Sequence, residues 1–456
     1  MKKLKIVVVG AGSREFGPAT INDVLLSDTL NQLELELTLM DVNPKELPEH
    51  QKYAEEVSLK LNRNCTINHT TDLEKALEGA DFVITAIEIR RYYYWSMDFH
   101  VPRKYGFRQV YGENGGPGGL FHALRNFGPS MKIIRAMEKV CPDAYMLNYT
   151  NPLTKLCEVL TKSSPVKVIG LCHGVFQGKT QLSDLLEMDV DDLDAKASGL
   201  NHFTWFHSIK HKKTGEDLYP KLKAREKEAH WFGEWDEIAL SRILMRVFGM
   251  YPSPGTNHIG EYIRWAEEFL GSSAMQYFYD PLEENPWKSG KIPTYLYNLH
   301  TKATHFPLYP NEVPEAIYPE KERDCDICPS GELAIPIIEG MICGVSHELG
   351  AINIPNKDYL VPGLDEDSII EVPAIVNENG LQPMKMPRLP EGILALLRRQ
   401  TSIHKLLVES YREQSRNKLL QALLLDPTVH SYRNAVEFLN EMCELQKEVL
   451  PKLEWD

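Results

Sequence analysis

The sequence of 456 residues has few cysteines and no long apolar run. Eight cysteines in a chain of this length do not form the dense framework of small disulfide-rich secreted domains, so we expect reduced thiols and a cytoplasmic location. Cys325 and Cys328 have the spacing of half a zinc or redox site, but no second pair accompanies them, and we interpret them as structural or incidental. A membrane-spanning helix would need about 18 or more consecutive apolar residues, so no membrane partner is expected.

Basic residues are also scarce relative to acidic ones. Lys and Arg number 50 against 64 Asp and Glu, and the formal net charge is −14. This charge repels nucleic-acid phosphates, so we expect no nucleic-acid partner. The sequence has neither internal repeats nor a Gly/Ser linker, and 43% hydrophobic residues with 25% charged residues is typical of a globular protein.

Short β-branched runs alternate with helical patterns in the first half of the chain, which predicts an α/β fold with helices covering both faces of a parallel sheet. We expect this domain over residues 1–198 and a mixed α+β domain over residues 199–456. The predicted strands are Lys5–Val9, Leu33–Met40, Thr66–Asn68, Phe82–Ile87, Ala144–Asn148 and Val166–Leu171. Ligands of such sheets bind beyond the carboxyl ends of the strands, so the residues that follow these strands are the first candidates for a site.

The first predicted strand ends in a glycine turn. Gly10 and Gly12, with Ser13 beside them, would let backbone N–H groups approach a pyrophosphate at a helix start. Asp41 follows the second strand, where a carboxylate can accept hydrogen bonds from both ribose hydroxyls and repel a 2′-phosphate. The pattern favours NAD binding over its alternative, a plain strand-to-helix turn with a solvated aspartate.

Glu113 lies in a glycine-rich segment directly before a predicted helix, Leu120–Val140. Several glycines in one loop indicate close approach of the backbone to a ligand, although a flexible connector has the same composition. An arginine facing such a site would suit a substrate carboxylate with its planar guanidinium, and the alternative is a solvated or paired side chain. The arginines that flank this segment are Arg90, Arg91, Arg108 and Arg125.

Polar residues follow the fifth and sixth predicted strands. Asn151 precedes Pro152 at a predicted helix start, and a role as N-cap alone would explain it. Cys172 and His173 end the sixth strand, and His202 lies near the start of the second domain. A thiolate and an imidazole can bind a transition metal, but the wide separation of these two along the chain is no ligand signature, so a buried thiol and a core histidine are the alternative.

The segment Thr256–Tyr262 carries three titratable side chains. On a helix, His258, Glu261 and Tyr262 would share one face. A solvated polar face is the ordinary outcome of such a pattern, and general acid/base catalysis is the functional one.

Taken in order, these segments resemble glycoside hydrolase family 4. The first part of the chain contributes Gly10–Ser13, Asp41, the Glu113 segment, Asn151-Pro152, Cys172-His173-Gly174, Asn201-His202 and His258–Tyr262. The last part adds Ser330–Glu332, Ile337–Glu339, Glu371–Ala374, Leu389-Pro390, Gln421–Leu423 and Asp426-Pro427. Each motif alone is weak, but the ordered set covers nearly the whole chain and is specific.

The resemblance implies two cofactors and a fold. It implies an NAD-bound, Rossmann-type domain similar to lactate and malate dehydrogenases, with NAD held by Gly10, Gly12, Ser13, Asp41 and Asn151. It also implies a divalent metal, typically Mn²⁺, held by Cys172 and His202. Manganese is not the ion that a thiolate alone would select, so its identity depends on the resemblance. The same resemblance implies a homodimer or homotetramer.

The reaction implied by the resemblance differs from ordinary glycoside hydrolysis. Glycosidases usually use two carboxylates, and NAD-dependent members of this family are an exception. They oxidise sugar C3 with NAD, remove the C2 proton, eliminate the C1 substituent, add water and return the hydride. Its α-glucosidase members carry an Asp at the position of Thr256, so we expect the base to be His258 or Tyr262 here, with His173 as the acid near the leaving oxygen.

The residues after the cysteine differ between branches of the family. Cys172-His173-Gly174 resembles the α-glucuronidase branch, whereas α-glucosidases tend to have Cys-His-Ser and phospho-sugar enzymes have Asn or Asp after the Cys. We therefore expect a glycosidase that cleaves α-linked uronides, an α-glucuronidase or α-galacturonidase. The alternatives are an α-glucosidase or α-galactosidase of the same family, or a 2-hydroxyacid dehydrogenase. The expected substrate-binding residues are Glu113, Asn151, Arg90 and Arg91.

Overall fold

The computed structural model describes residues 3–14, 16–228, 238–269 and 327–455. Its strands are β1 (Lys3–Val9), β2 (Glu34–Met40), β3 (Cys65–Thr70), β4 (Phe82–Thr85), β5 (Tyr145–Asn148), β6 (Lys167–Gly170), β7 (Leu193–Leu200), β8 (Phe203–His211), β9 (Pro252–Ser253), β10 (His347–Pro355), β11 (Ile369–Asn377) and β12 (Gly380–Pro383). Its α-helices are α1 (Phe16–Leu26), α2 (Leu47–Lys60), α3 (Leu73–Leu77), α4 (Arg91–Lys104), α5 (Gly116–Val140), α6 (Leu153–Ser163), α7 (Gly174–Leu186), α8 (Tyr219–Glu228), α9 (Ala239–Phe248), α10 (Thr256–Gly260), α11 (Ala334–Cys343), α12 (Glu391–Glu413), α13 (Arg416–Leu425) and α14 (Tyr432–Leu445). None of the helices in the described ranges is long and apolar enough to cross a membrane.

The described residues form two compact units. Unit 1 comprises residues 3–88, 126–173 and 327–387, and unit 2 comprises residues 89–125, 174–269 and 388–455, apart from the gaps given above. The domains expected from the sequence, 1–198 and 199–456, divide the chain once, whereas each compact unit takes segments from both. Cys325 lies outside the described residues, and Cys328 is exposed.

Unit 1 is built on a Rossmann-type sheet. Its first six strands lie side by side in the order β3-β2-β1-β4-β5-β6 and are parallel, which is the strand order of dinucleotide-binding sheets. Strand β10 pairs antiparallel with β6, and β11 and β12 continue the sheet antiparallel. The α/β fold class predicted from the sequence is confirmed, and all six predicted strands are present.

The central strand β1 shows why this sheet could be predicted. Ile6, Val7 and Val8 are fully buried, as expected of a parallel strand with helices on both faces. Because the six parallel strands run in one direction, the segments that follow β1, β2, β5 and β6 all leave the sheet at its carboxyl edge. The candidate residues Gly10, Asp41, Asn151 and Cys172 belong to those segments.

Unit 2 contains the antiparallel ribbon β7-β8-β9 and helices that the sequence predicted only in part. Helix α4 was not predicted. Helix α5 begins at Gly116 rather than at the predicted Leu120, because Pro117 is tolerated in the first turn of a helix, where its missing N–H needs no partner. Helices α12 and α13 are separate, since Gln414 has a left-handed φ of 56° and the Ser415 side chain caps α13.

Candidate active site

The glycine turn after β1 leaves no room for side chains. Gly10 has a φ of +93°, and a Cβ at this position would lie 2.0 Å from the carbonyl oxygen of Ala86. Only glycine fits such a position without strain. Helix α1 begins at Phe16, whose N–H donates a hydrogen bond to Ser13 Oγ at 3.1 Å. The turn therefore combines close backbone approach with a helix N-terminus, which is the arrangement that binds pyrophosphate groups.

Asp41 follows β2 and contacts the same turn. Its Oδ2 accepts a hydrogen bond from the Gly12 N–H at 2.9 Å, and its Oδ1 accepts one from the Asn43 N–H at 2.9 Å. A Cβ at Gly12 would lie 2.8 Å from Asp41 Oδ2, so glycine permits this contact. Each carboxylate oxygen has a second lone pair, and Asp41 is partly exposed, so it can also accept from a ribose hydroxyl.

Asn151 lies between β5 and α6. The N-cap of α6 is Pro152, which has extended backbone angles, and the first helical residue is Leu153. The predicted N-cap role of Asn151 with Pro152 at the first helical position is therefore wrong by one residue. The carbonyl oxygen of Asn151 accepts a hydrogen bond from Asn126 Nδ2 at 3.1 Å, and its side chain is partly exposed beyond the carboxyl end of β5.

Cys172 and His173 follow β6, and a carboxylate fixes the imidazole. His173 Nδ1 lies 2.5 Å from Glu332 Oε1, and this hydrogen bond raises the pKa of His173. Glu332 is itself placed by Ser330, whose Oγ accepts from the Glu332 N–H at 3.1 Å, and the Ser330 N–H donates to Asp23 Oδ1 at 2.7 Å. The sequence marked Ser330–Glu332 as a family motif but gave Glu332 no role.

Three donor side chains converge in unit 2, and we call them the Glu113 cluster. Glu113 precedes α5, His202 lies in the turn between β7 and β8, and His258 lies in α10. One potential ligand atom of each residue lies within 4.8 Å of those of the other two. The ring centroids of His202 and His258 are 4.3 Å apart, and Glu113 Oε2 lies 3.9 Å from His258 Nδ1. Glu113 and His202 are buried, while the His258 side chain is 23% exposed.

Glu113 is a buried carboxylate that its neighbours keep ionised. Arg91 Nη2 donates to Glu113 Oε1 at 2.6 Å, and Asn114 Nδ2 donates to Oε2 at 3.3 Å. Burial raises the pKa of Glu113, but the charges of Arg91 and His258 outweigh burial and lower the pKa to about 2. Glu113 therefore carries a negative charge at neutral pH.

The other three arginines that flank the Glu113 segment contact residues outside the Glu113 cluster. Arg125 is fully buried in an ion pair, and Arg108 is exposed in another, so for both of them the paired alternative holds. Arg90 has a left-handed φ of 43° and lies over an aromatic ring. The contacts are Arg90 to the Tyr93 ring centroid at 4.2 Å, Arg108 to Glu267 at 3.3 Å and Arg125 to Asp98 at 2.8 Å.

The common helical face expected for His258, Glu261 and Tyr262 is not formed. Helix α10 ends at Gly260, and the Glu261 N–H donates to the carbonyl oxygen of His258 at 3.2 Å in a tighter turn. Tyr262 is buried and stacks on the ring of Phe203, with centroids 4.9 Å apart. The prediction of one face is wrong because the helix stops before two of its three residues.

Glu261 is a site residue whose contacts the sequence could not predict. Its side chain is fully buried, and Oε1 accepts hydrogen bonds from the N–H groups of Glu113 at 2.5 Å and Asn114 at 2.8 Å. Burial and the nearby charge of Glu113 raise the pKa of Glu261 to about 8. His122 was also missed, and its Nδ1 lies 2.8 Å from the carbonyl oxygen of Glu113. No sequence motif marked His122.

The candidate residues fall into two groups. Those of unit 1 lie near the carboxyl edge of its parallel strands and are Gly10, Gly12, Ser13, Asp41, Asn151, Cys172 and His173. Those of unit 2 are Arg90, Arg91, Glu113, His202, His258 and Tyr262. The structure brings together Arg91, Glu113, His202 and His258. Cys172 and His202 belong to different units, and their binding of one ion stays a prediction.

Both halves of the chain match models of one enzyme family. Residues 5–188 match family 4 glycosyl hydrolase, and residues 197–429 match the family 4 glycosyl hydrolase C-terminal domain. An alpha-glucosidase of Erwinia rhapontici is 31% identical over 97% of this chain and 98% of its own length. An alpha-galacturonidase of Thermoanaerobacter italicus is 26% identical over 98% of this chain and 97% of its own length.

Solved structures share the fold. The 6-phospho-alpha-glucosidase from gut microorganisms, solved in complex with NAD and Mn²⁺, has a TM-score of 0.77 at 22% identity and covers 99% of this chain and 100% of its own. A malate dehydrogenase from Plasmodium falciparum, in complex with NADH, has a TM-score of 0.51 at 12% identity and covers 90% of this chain and 99% of its own. These likenesses agree with the Rossmann-type order of the strands in unit 1. Since the two family models together span most of the sequence, the chain belongs to glycosyl hydrolase family 4.

Proposed function

We propose that this glycoside hydrolase cleaves α-linked uronides, as an α-glucuronidase or α-galacturonidase that requires NAD and a divalent metal, with Mn²⁺ the first candidate. The observation that carries the metal-dependent part is the convergence of Glu113, His202 and His258 within 4.8 Å. Two further facts support the uronide: the triplet Cys172-His173-Gly174 and the nearly full-length relationship to an alpha-galacturonidase.

The residues after β1 and β2 fit NAD. The position of Gly10 excludes any side chain, Ser13 lies at the start of α1, and Asp41 can accept from ribose hydroxyls. In this proposal Gly10, Gly12, Ser13, Asp41 and Asn151 hold the cofactor. When bound, NAD supplies a reversible hydride acceptor for sugar C3, so the net reaction consumes no NAD.

The donor set of the Glu113 cluster fits a divalent transition metal. A carboxylate oxygen and imidazole nitrogens suit Mn²⁺ better than a thiolate alone does. His202 holds the metal together with Cys172, as the family resemblance implies, Glu113 beside it can add an oxygen ligand, and His258 keeps its basic nitrogen for proton transfer. When bound, the metal supplies a Lewis acid that stabilises negative charge on a sugar oxygen.

Side chains of this protein perform the proton transfers. His258 is the first candidate for the base at sugar C2, because its partly exposed imidazole stands 3.9 Å from the Glu113 carboxylate. Tyr262 is the second candidate. His173 donates the proton to the leaving oxygen, and Glu332 fixes its orientation through Nδ1.

Substrate recognition uses Arg90, Arg91, Glu113 and Asn151. The Arg91 side chain is 37% exposed, and its guanidinium has five N–H donors, so it can contact a substrate carboxylate while it is bonded to Glu113. Glu113 accepts hydrogen bonds from sugar hydroxyls in this arrangement, since its carboxylate is charged at neutral pH.

The test is a panel of p-nitrophenyl α-glycosides with added NAD, Mn²⁺ and a thiol reductant. We expect kcat/KM to be highest for the α-glucuronide or the α-galacturonide, with exchange of the C2 hydrogen for solvent deuterium in the product. The 31% identity to an alpha-glucosidase favours the α-glucoside as the second candidate. A higher kcat/KM for the α-glucoside or α-galactoside would overturn the uronide proposal. If no glycoside is hydrolysed and NADH accumulates with 2-hydroxyacids as substrates, the proposal of glycosidase activity itself is overturned.

A further inference from the structure

A buried carboxyl group holds the main chain on which the Glu113 cluster depends. Glu261 is fully buried, and its Oε1 accepts hydrogen bonds from two consecutive backbone N–H groups, those of Glu113 and Asn114. Glu113 and Asn114 lie in the loop that precedes Gly116, the first residue of α5, so their N–H groups take no part in the hydrogen bonds of the helix. A buried N–H group without an acceptor is costly, so the Glu261 oxygen fixes where this main chain lies.

The contact between the two segments is also tight. A Cβ at Gly115 would lie 2.7 Å from Glu261 Cβ, 2.8 Å from Tyr262 Cε1 and 2.9 Å from the carbonyl oxygen of Glu261. Main-chain atoms and a buried ring cannot move aside without disturbing the close packing around them. The absence of a side chain at Gly115 is therefore what lets the main chain of Glu113 approach Glu261.

We propose that Glu261 is a positioning residue, which acts by holding the main chain of Glu113 and Asn114 so that the Glu113 carboxylate faces His202 and His258. The inference rests on the proposed function, in which this cluster takes part in metal binding. Glu261 itself is outside the group of donor atoms that converge within 4.8 Å, so it acts through Glu113 and not as a ligand.

The chemistry of the contact predicts which substitutions of Glu261 impair function most. Two N–H donors require an acceptor oxygen at a fixed reach, and a charge is not required. Glu261→Gln keeps an oxygen at that reach and, like the protonated carboxyl group that the raised pKa of Glu261 favours, carries no charge. Glu261→Asp keeps a carboxyl group, but the shorter side chain withdraws its oxygens by one methylene group. A positioning role therefore predicts that Gln retains function better than Asp, whereas a ligand or base role predicts the reverse.

The experiment measures the dissociation constant of Mn²⁺ for the full chain by electron paramagnetic resonance, together with kcat and KM. We expect Glu261→Gln to bind Mn²⁺ within about threefold of the unsubstituted protein, and Glu261→Asp and Glu261→Ala to bind at least about tenfold more weakly. Gly115→Ala should weaken binding similarly with Glu261 unchanged. The matched control is Glu226→Gln, which alters another buried carboxylate of unit 2, bonded to Arg242 and Arg246, and should lower stability without changing Mn²⁺ affinity.

Hydrogen–deuterium exchange of the peptide that contains Glu113 and Asn114 separates the two proposals. Faster exchange there in the Asp and Ala variants supports the positioning role even if the unsubstituted protein binds no Mn²⁺, in which case the proposed function fails. If Mn²⁺ binds but exchange and affinity are unchanged in these variants, the positioning role is overturned. Retention of affinity by Asp and loss by Gln would also overturn it. If Glu261→Ala does not fold, the comparison of Gln with Asp decides.

Discussion

Arg91 Nη2 lies 2.6 Å from Glu113 Oε1, so a partly exposed guanidinium is bonded to the carboxylate of the Glu113 cluster. The sequence predicted Arg91 and Glu113 as two separate substrate-binding residues, and the structure shows that they are bonded to each other. The charge of Arg91 opposes the burial of Glu113 and is one reason why the pKa of Glu113 falls to about 2. The ionisation of the Glu113 carboxyl group therefore depends on the charge of Arg91.

Substitution of Arg91 should impair the cluster most at acidic pH. In Arg91→Met, burial of Glu113 is no longer opposed by the guanidinium, so its pKa rises and its ionised fraction falls first at low pH. We expect kcat/KM to fall about tenfold to a hundredfold, with the acid limb of the pH profile moved upward. Arg91→Lys is the control, because it keeps the charge but not the planar guanidinium, and it should retain the acid limb while KM rises. Identical profiles for Met and the unsubstituted protein would contradict this role.

Gly10 should be required for NAD binding because of its surroundings and not only because of its φ. Gly10→Ala places a Cβ 2.0 Å from the Ala86 carbonyl oxygen, so the turn must shift. Gly79→Ala is the matched control, since Gly79 also has a positive φ, +70°, but has no atom within 4 Å of the added Cβ. Both variants should lose about 1 kcal/mol or more of stability. Calorimetric titration should show at least about tenfold weaker NAD binding for Gly10→Ala alone, and equal binding by both variants would argue against the assigned turn.

The sequence predicted those parts of the site that depend on local pattern. The buried strand before Gly10 is a continuous apolar run, and Asp41 follows a second strand of the same sheet. It could therefore be inferred that Gly10 and Asp41 lie at the same edge of the sheet. The contact of Glu261 with Glu113 joins segments far apart in the chain and follows no periodicity. Its only signal was the presence of an acidic residue inside a motif.

The helices of unit 2 show where local rules fail. Helix α4 has little amphipathic pattern, since aromatic residues cover several of its faces, and it could not be recognised by periodicity. The start of α5 falls among glycines, which have low helix propensity, so tertiary contacts there outweigh propensity. Gly118, for example, donates its N–H to Gln109 Oε1 at 2.8 Å.

The ion pair of Arg125 with Asp98 should be essential for the stability of unit 2. Both side chains are fully buried, Arg125 Nη2 donates to Asp98 Oδ2 at 2.8 Å, and Gln446 donates to Asp98 Oδ1 at 2.8 Å. Removal of one partner leaves the other buried without its charge partner, so Arg125→Met should cost about 3–5 kcal/mol in urea unfolding. Arg135→Met breaks an exposed pair with Glu138 and should cost less than about 1 kcal/mol. Similar losses for the two variants would contradict the importance of burial.

His207 should make the stability of unit 2 depend on pH. Its Nε2 lies 2.7 Å from Ser198 Oγ across the β7–β8 pair, and burial lowers the pKa of His207 from 6.5 to about 4. The unfolded chain therefore binds this proton more readily than the folded chain between about pH 6.5 and 4, and the stabilisation from the neutral imidazole is complete above pH 6.5 and lost as the pH falls toward 4. His207→Gln cannot titrate. Between about pH 7.5 and 5, the free energy of unfolding should fall by about 1–2 kcal/mol more for the unsubstituted protein than for the variant. Parallel pH curves for the two proteins over this range would show that His207 is not the responsible group.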